Sequence, residues 1–217
     1  MAATSAVSAN AADRSRQARE LTLAERHRWG DAAAFEEIYR EHSEMVYNLA
    51  LRLCGDRERA ADLSQETFLR IHRHLGKFRG RSSLKTWIYR VTLNHCRSRL
   101  ARRNLPTRSI DAASADGDGR AGREAPIVLV DGSRSPEERA MAGDAEKILQ
   151  AALAELPVVF REAVVLRDLE GLAYDEIAAV LGARIGTVRS RIARGRGMLR
   201  DVLTRDEKKP EDEEISP

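Results

Sequence analysis

The chain has 217 residues, a third of them charged, with hydrophobic residues at 42%, aromatics at 5% and a formal net charge of +3. No apolar run approaches the eighteen or so residues of a membrane span, and the start Met1-Ala-Ala-Thr-Ser lacks the basic and apolar parts of a secretory signal. Cys54 and Cys96 are too few for a disulfide framework, so the reading is a protein of the cytoplasm without one large core.

Residues 1–21, rich in Ala, Ser, Asn and Arg, show no periodicity and are expected to form a mobile arm. From Ala32, apolar residues recur at Phe35, Ile38, Tyr39, Val46, Leu49, Ala50 and Leu53, predicting a helix that closes at Gly55. A second helix runs from about Arg57 to Leu75, buries Ala60, Leu63, Phe68, Ile71 and Leu75, and stops at Gly76. Its Asp62 and Glu66 are four residues apart with Gln65 alongside, a like-charge pair costing a few tenths of a kcal/mol. Two readings stand: a face kept for a protein partner, or an ordinary face with Glu66 paired to Arg70.

Ser82 or Ser83 caps a third helix reaching Arg103. Leu84, Trp87, Ile88, Val91 and His95 make its packing stripe, and Thr86, Arg90, Asn94 and Arg97 a polar, basic one. The preceding loop, with Phe78, Arg79, Ser82 and Ser83, combines an aromatic, a cation and hydroxyls, a mixture suited to unpaired bases. Trp87 and Tyr89 read either as core or as part of that nucleic-acid surface. Residues 104–134 carry Pro106 and a Gly/Asp-rich stretch and are expected to be a flexible linker. Inside it, Asp116-Gly-Asp118-Gly lacks the ligand ladder of a calcium loop, and 126–130 form an apolar island.

Ser135-Pro-Glu-Glu138 opens the second lobe as a capping box, followed by a helix to about Ala154 and another from Pro157 to near Asp168. Tyr174–Leu181, Gly182 and a helix from Ile185 to about Arg200 then make a helix-turn-helix, in which small Ala178 permits a close crossing. On the last helix Ile185, Val188, Ile192 and Leu199 share a packing face, while Thr187, Ser190, Arg191 and Arg194 share one that suits base edges. Arg189, Arg196 and Arg200 suit phosphates, and Gly195 and Gly197 are expected to fray the helix there. An acidic tail occupies 204–217.

Charge is segregated. From Leu69 to Arg103 there are eleven Lys or Arg and no acid, and from Ala178 to Arg200 six Arg and no acid. Two cationic surfaces suit phosphate backbones. Without period-two alternation the fold class is all-α, with two small helical domains at 22–103 and 135–203 joined by the linker. No nucleophile–base pair, P-loop or metal motif is evident, and His72, His74, His95 and Cys96 read as structural rather than zinc-binding, so no enzyme, cofactor or metal is expected.

Five segments in order, Gly30-Asp-Ala-Ala-Ala-Phe35, Ala61-Asp-Leu-Ser-Gln-Glu-Thr-Phe68, Phe78-Arg-Gly80, Thr86-Trp-Ile-Tyr-Arg-Val-Thr-Leu-Asn94 and Gly186-Thr-Val-Arg-Ser-Arg191, resemble bacterial sigma factors of the extracytoplasmic-function (ECF) group. The resemblance covers roughly residues 22–203. It implies a non-catalytic initiation subunit whose Asp62, Leu63, Gln65, Glu66 and Phe68 dock on a coiled coil of the polymerase largest subunit, with the flap as a second contact. It further implies that Phe78, Arg79, Ser82, Ser83, Lys85, Thr86, Trp87, Tyr89, Arg90, Asn94 and Arg97 melt and read a minus-ten element with a base flipped out. Arg184, Thr187, Arg189, Ser190, Arg191, Arg194 and Arg196 would read a minus-thirty-five element as duplex, and an anti-sigma protein would hold the factor inactive. Ala173 stands where relatives carry a capping Ser or Thr. The rival reading is a free-standing helix-turn-helix repressor that binds operator duplex unaided.

Overall fold

The computed structural model describes the backbone of residues 2–103 and 136–207 and the side chains of residues 15–102 and 143–205. The linker, its apolar island, its Asp-Gly repeat, the Ser135 cap and the acidic tail beyond 207 lie outside the described residues. Among those described there is no strand.

The N-terminal lobe comprises α1 (Ala2–Arg28), α2 (Ala32–Cys54), α3 (Arg57–Leu75) and α4 (Leu84–Arg103). Side-chain oxygens set the starts by satisfying amides that the first turn leaves without helical partners. Asp31 accepts from the Ala33 amide at 2.9 Å, Asp56 from Arg59 at 2.8 Å and Ser83 Oγ from Thr86 at 3.1 Å. Gly55, at φ 74°, ends α2 in the left-handed conformation that glycine adopts without a Cβ clash. The lobe's interior joins Leu23 and Ala24 of α1, Ile38 and Val46 of α2, Phe68, Ile71 and Leu75 of α3, and Leu84 and Ile88 of α4.

Where a mobile arm is expected over residues 1–21, helix α1 begins at Ala2, and it buries Leu23 and Ala24 near its end. Its local sequence is a poor predictor because the docking groups are mostly polar. Gln17 Nε2 donates to the Gly80 carbonyl at 2.6 Å, Glu20 accepts from the Leu84 amide at 2.8 Å, and Arg28 donates to the Gly76 carbonyl at 2.6 Å. All three side chains close on the loop between α3 and α4.

The C-terminal lobe comprises α5 (Pro136–Glu155), α6 (Val158–Val164) continuing as a π turn over Val165–Leu169, α7 (Tyr174–Leu181) and α8 (Ile185–Glu207). Gly182, at φ 62°, makes the tight turn between α7 and α8. Ala173 has no side-chain acceptor, so the α7 cap is half made: the Glu176 carboxylate accepts from the Ala173 amide at 2.9 Å. Helix α8 does not fray at its glycines. A Cβ on Gly195 would lie 2.6 Å from Val164 Cγ2 and 3.2 Å from the Phe160 carbonyl, so the missing side chain is what lets α8 lie against α6.

The two lobes are not held apart. One buried cluster runs from Leu49, Leu53, Tyr89, Leu93 and Cys96 of the first lobe through Leu153, Val164 and Leu166 to Ile177, Val188 and Ile192 of the second. Each such side chain fully buried contributes roughly 1.5–3 kcal/mol. The two helical domains expected from the sequence are present, and this cluster joins them. Polar contacts reinforce the seam: Arg161 donates to the Leu53 carbonyl at 2.8 Å, Gln150 to the Leu51 carbonyl at 3.0 Å, and Arg52 pairs with Glu146 at 2.8 Å.

Candidate nucleic-acid and polymerase interfaces

On α8 the expected reading face is open. Arg184, Thr187, Arg189, Ser190 and Arg194 are exposed and Arg191 is half-buried, while Val188 and Ile192 pack inward. Ile185, expected on the packing face, is instead 44% exposed at the first position of α8. Tyr174 orients the start of the helix, with the Arg189 guanidinium 5.7 Å and that of Arg167 4.8 Å from its ring centre. Arg196 is engaged within the chain, donating to Asp168 at 2.9 Å, which raises its already high pKa through that hydrogen bond. A phosphate contact by Arg196 would have to displace Asp168.

The loop and α4 are divided between two environments. Arg79, Lys85, Arg90 and Asn94 are exposed. Ser82, Ser83, Trp87 and Arg97 are half-buried. Phe78, Thr86 and Tyr89 are buried. Phe78, expected to stack on an unpaired base, is buried in the free chain, its ring 5.9 Å from that of Trp87. Tyr89 is also interior: its hydroxyl donates to Glu170 at 2.7 Å, and burial followed by that carboxylate pushes its pKa up. Thr86 shares a 2.8 Å hydrogen bond with Ser83 and sits 3.5 Å from Glu176. Arg97 forms a two-pronged pair with Glu162, a contact that raises its pKa.

On α3, Asp62 and Gln65 are exposed, but Leu63 and Phe68 face the core. In the free chain those two, expected as docking contacts, help fix the helix instead of lying at its surface. The apolar side chains that α3 and its neighbour α2 do present are Leu69, 56% exposed, and Tyr39, whose ring meets Phe68 edge-on at 4.6 Å. Glu66 does not pair with Arg70; it takes both Arg99 and, at 2.8 Å, the His95 ring. Burial opposes ionisation of Glu66, yet Arg99 and His95 hold its carboxyl below the usual range. His72 faces His27 at 4.5 Å between ring centres, away from His95 and Cys96 in the interior, and burial raises the Cys96 thiol to about 12.

Sequence reasoning missed the partners that the other lobe supplies. Glu162 had a signal, a lone acid among Val158, Val159, Ala163, Val164 and Leu166. Leu69 had one too, an apolar residue outside the helical stripe. Gln17, Glu20 and Arg28 had none.

The described residues form an all-helical protein with a helix-turn-helix in its second lobe and exposed basic faces on α4 and α8. Residues 38–105 match the family model for sigma-70 region 2 and residues 146–199 that for sigma-70 region 4. The chain is 33% identical to the RNA polymerase sigma-H factor of Pseudomonas aeruginosa over 86% of its own length and 95% of that protein's. It is 33% identical to the ECF RNA polymerase sigma-E factor of Escherichia coli K12, over 84% of this chain and 93% of that one. It is also 41% identical to the ECF RNA polymerase sigma factor SigE of Mycolicibacterium smegmatis over 81% of its length, and it spans 65% of that relative. The chain belongs to the ECF group of the sigma-70 family of sigma factors. The fold is like that of CnrH in complex with the cytosolic domain of CnrY, with TM-score 0.61 and 23% identity over 87% of this chain and 99% of that one. It is also like that of the sigma factor RpoE in complex with the anti-sigma factor NepR from Bartonella quintana, with TM-score 0.56 and 23% identity over 79% of this chain and 98% of that one.

Proposed function

We infer that this chain is a non-catalytic subunit that binds core RNA polymerase in the cytoplasm and directs initiation at promoters carrying a minus-ten and a minus-thirty-five element. The observation that carries the reading is that one chain exposes two separate basic and polar surfaces, one on each lobe. One is the open basic face of α8, suited to a major groove; the other is the exposed row Lys85, Arg90 and Asn94 of α4 beside Arg79 of the loop. Two modest contacts become selective when polymerase fixes their separation, since linkage supplies the effective concentration. Asp62, Gln65, Leu69 and Tyr39 form the mixed acidic and apolar face offered to the polymerase coiled coil. A separate anti-sigma protein is the regulator this reading calls for, in keeping with the partner named for the RpoE structure.

The test mixes purified chain with sigma-free bacterial core polymerase and a genomic promoter library, then sequences transcript starts. Starts sharing two upstream motifs at fixed spacing are the expected result. No starts, with tight duplex binding by the chain alone, would identify a free-standing repressor instead.

A further inference from the structure

We propose that the turn between α1 and α2 is a second contact for single-stranded DNA, in which Trp29 stacks on an unpaired base while Arg28 and Arg79 hold the adjoining phosphate. The proposal rests on the assignment of Arg79 and its loop to strand reading, and extends that surface onto a helix the assignment does not include.

Trp29 is 87% exposed, the most open large hydrophobic side chain among the described residues. Tryptophan is enriched at interfaces because it offers a large flat apolar face together with one donor. The turn that carries it is fixed on both sides. The Trp29 amide donates to the Glu25 and Arg26 carbonyls, each at 3.1 Å, and the Asp31 amide to the Arg26 carbonyl at 3.1 Å. The Arg26 guanidinium in turn pairs with the Asp31 carboxylate at 2.8 Å. Gly30 between them, at φ 87°, takes the left-handed conformation that a side chain would strain. The indole is thus presented by backbone already in place, which spares a ligand the cost of ordering it.

A cationic site lies beside the ring. Arg28 donates to the Gly76 carbonyl at 2.6 Å and Arg79 to the same oxygen at 3.0 Å, so two guanidiniums converge on one neutral acceptor. Like charges gathered in this way repel, and an anion between them relieves the repulsion. The chain from Leu69 to Arg103 holds no acid to supply one, and Glu20 of α1 accepts from the Leu84 amide at the other end of the loop. Arg28, Lys77 and Arg79 are all exposed. A guanidinium carries five donors, so each arginine keeps N–H groups for a phosphate while it holds Gly76. An aromatic face beside cations is the combination that binds unpaired strands, since every base offers a face to stack. Continuity names the occupant: Arg79 stands in the exposed row with Lys85, Arg90 and Asn94, and a strand that passes Arg79 runs onto Arg28 and Trp29.

Trp29 and Trp87 are the chain's two tryptophans, so in W87F the emission of Trp29 is read alone. Titrating full-length W87F with single-stranded DNA of mixed sequence should quench that emission, at the midpoint given by anisotropy of the same strand labelled with fluorescein. In the otherwise unchanged chain, W29A should bind the strand about tenfold more weakly and W29F about twofold, with affinity for a labelled duplex constant in both. R28A should lower the slope of log affinity against log salt by about 0.7, and R28K, which keeps the charge, should restore it. Full strand affinity in W29A, or a bound strand that leaves W87F unquenched, overturns the proposal. R90A separates this failure from that of the strand-reading assignment. Weaker strand binding by R90A but not by W29A removes the α1–α2 turn and leaves the assignment standing. No change in either variant, or no strand binding by the unchanged chain alone and with core polymerase, overturns the assignment itself. Normal strand binding by W29A with loss of core polymerase in a native gel shift would make the turn a protein interface instead.

Discussion

Arg97 of α4 meets Glu162 of α6 through two hydrogen bonds, one of them Nε to Oε1 at 2.5 Å, and the carboxylate it meets is 1% exposed. An ion so deeply buried tolerates removal of its partner poorly, because the remaining charge keeps its desolvation cost. Arg97→Ala should lower the stability of the whole chain by about 3 kcal/mol. Replacing both residues by methionine should cost far less. Urea midpoints of the single and double variants check the difference, and similar losses in both would show that packing rather than charge dominates at this seam.

Gly195 and Gly197 of α8 should respond in opposite directions to alanine. At Gly195 the new methyl would meet Val164 at 2.6 Å and force α8 away from α6, at a cost of about 1–3 kcal/mol. At Gly197 nothing lies within 4 Å of the added Cβ, so the helix gains up to about 1 kcal/mol from reduced backbone freedom in the unfolded chain. Thermal melting of G195A and G197A reads both signs.

Helix α1 should control the loop before α4. Gln17, Glu20 and Arg28 each hold a backbone group of Gly76, Gly80 or Leu84, and Leu21 lies 3.0 Å from where a Cβ on Gly80 would stand. Gln17→Ala with Arg28→Ala removes two of these exposed hydrogen bonds, worth about 1 kcal/mol each. Amide exchange should quicken over residues 76–84 and stay unchanged in α8. Uniform quickening would mean that α1 supports the fold rather than the loop.

Stability should fall on mild acidification. Burial holds His42 and His95 below their ordinary 6.5, so both stay neutral in the folded chain while the unfolded chain takes up protons first. The unfolded state then binds more protons, and stability present above pH 6.5 is lost as the pH drops below it, levelling only beneath the folded values. Glu66, held low by Arg99 and His95, adds a loss of the same sign at more acid pH. Melting temperatures of the unchanged chain and of His42→Gln, measured from about pH 8 to about pH 5, should converge as the pH falls.

Asp62→Lys should abolish binding to core polymerase while leaving the melting temperature unchanged, because its side chain is exposed. Glu66→Lys should do both kinds of damage, since it also abandons Arg99 and His95. Native gel shift with core polymerase, run beside a melt, separates them; retained binding by Asp62→Lys would remove α3 from the interface.

Much was legible in advance. The bounds of α2, α3 and α4, the helix-turn-helix at Gly182 and the open basic face of α8 follow from caps, glycines and a 3.6-residue period, all local properties. Leu63 and Phe68 were read correctly as core by that period and assigned to docking only by resemblance. Phe78 could not be placed, since a loop has no period.

What the sequence determined by itself is the set of helices, the two cationic blocks and the family, because caps, periodicity and short motifs act within a few residues. Only the tertiary structure decided that α1 clamps a loop some sixty residues away, that Gly195 is a packing contact, and that Thr86, Tyr89 and Arg97 face carboxylates rather than solvent. The physical reason is that each of these depends on a partner distant in the chain: whether a charge is solvated, paired or buried is settled by what packs against it, and the helix carrying it holds no record of that neighbour.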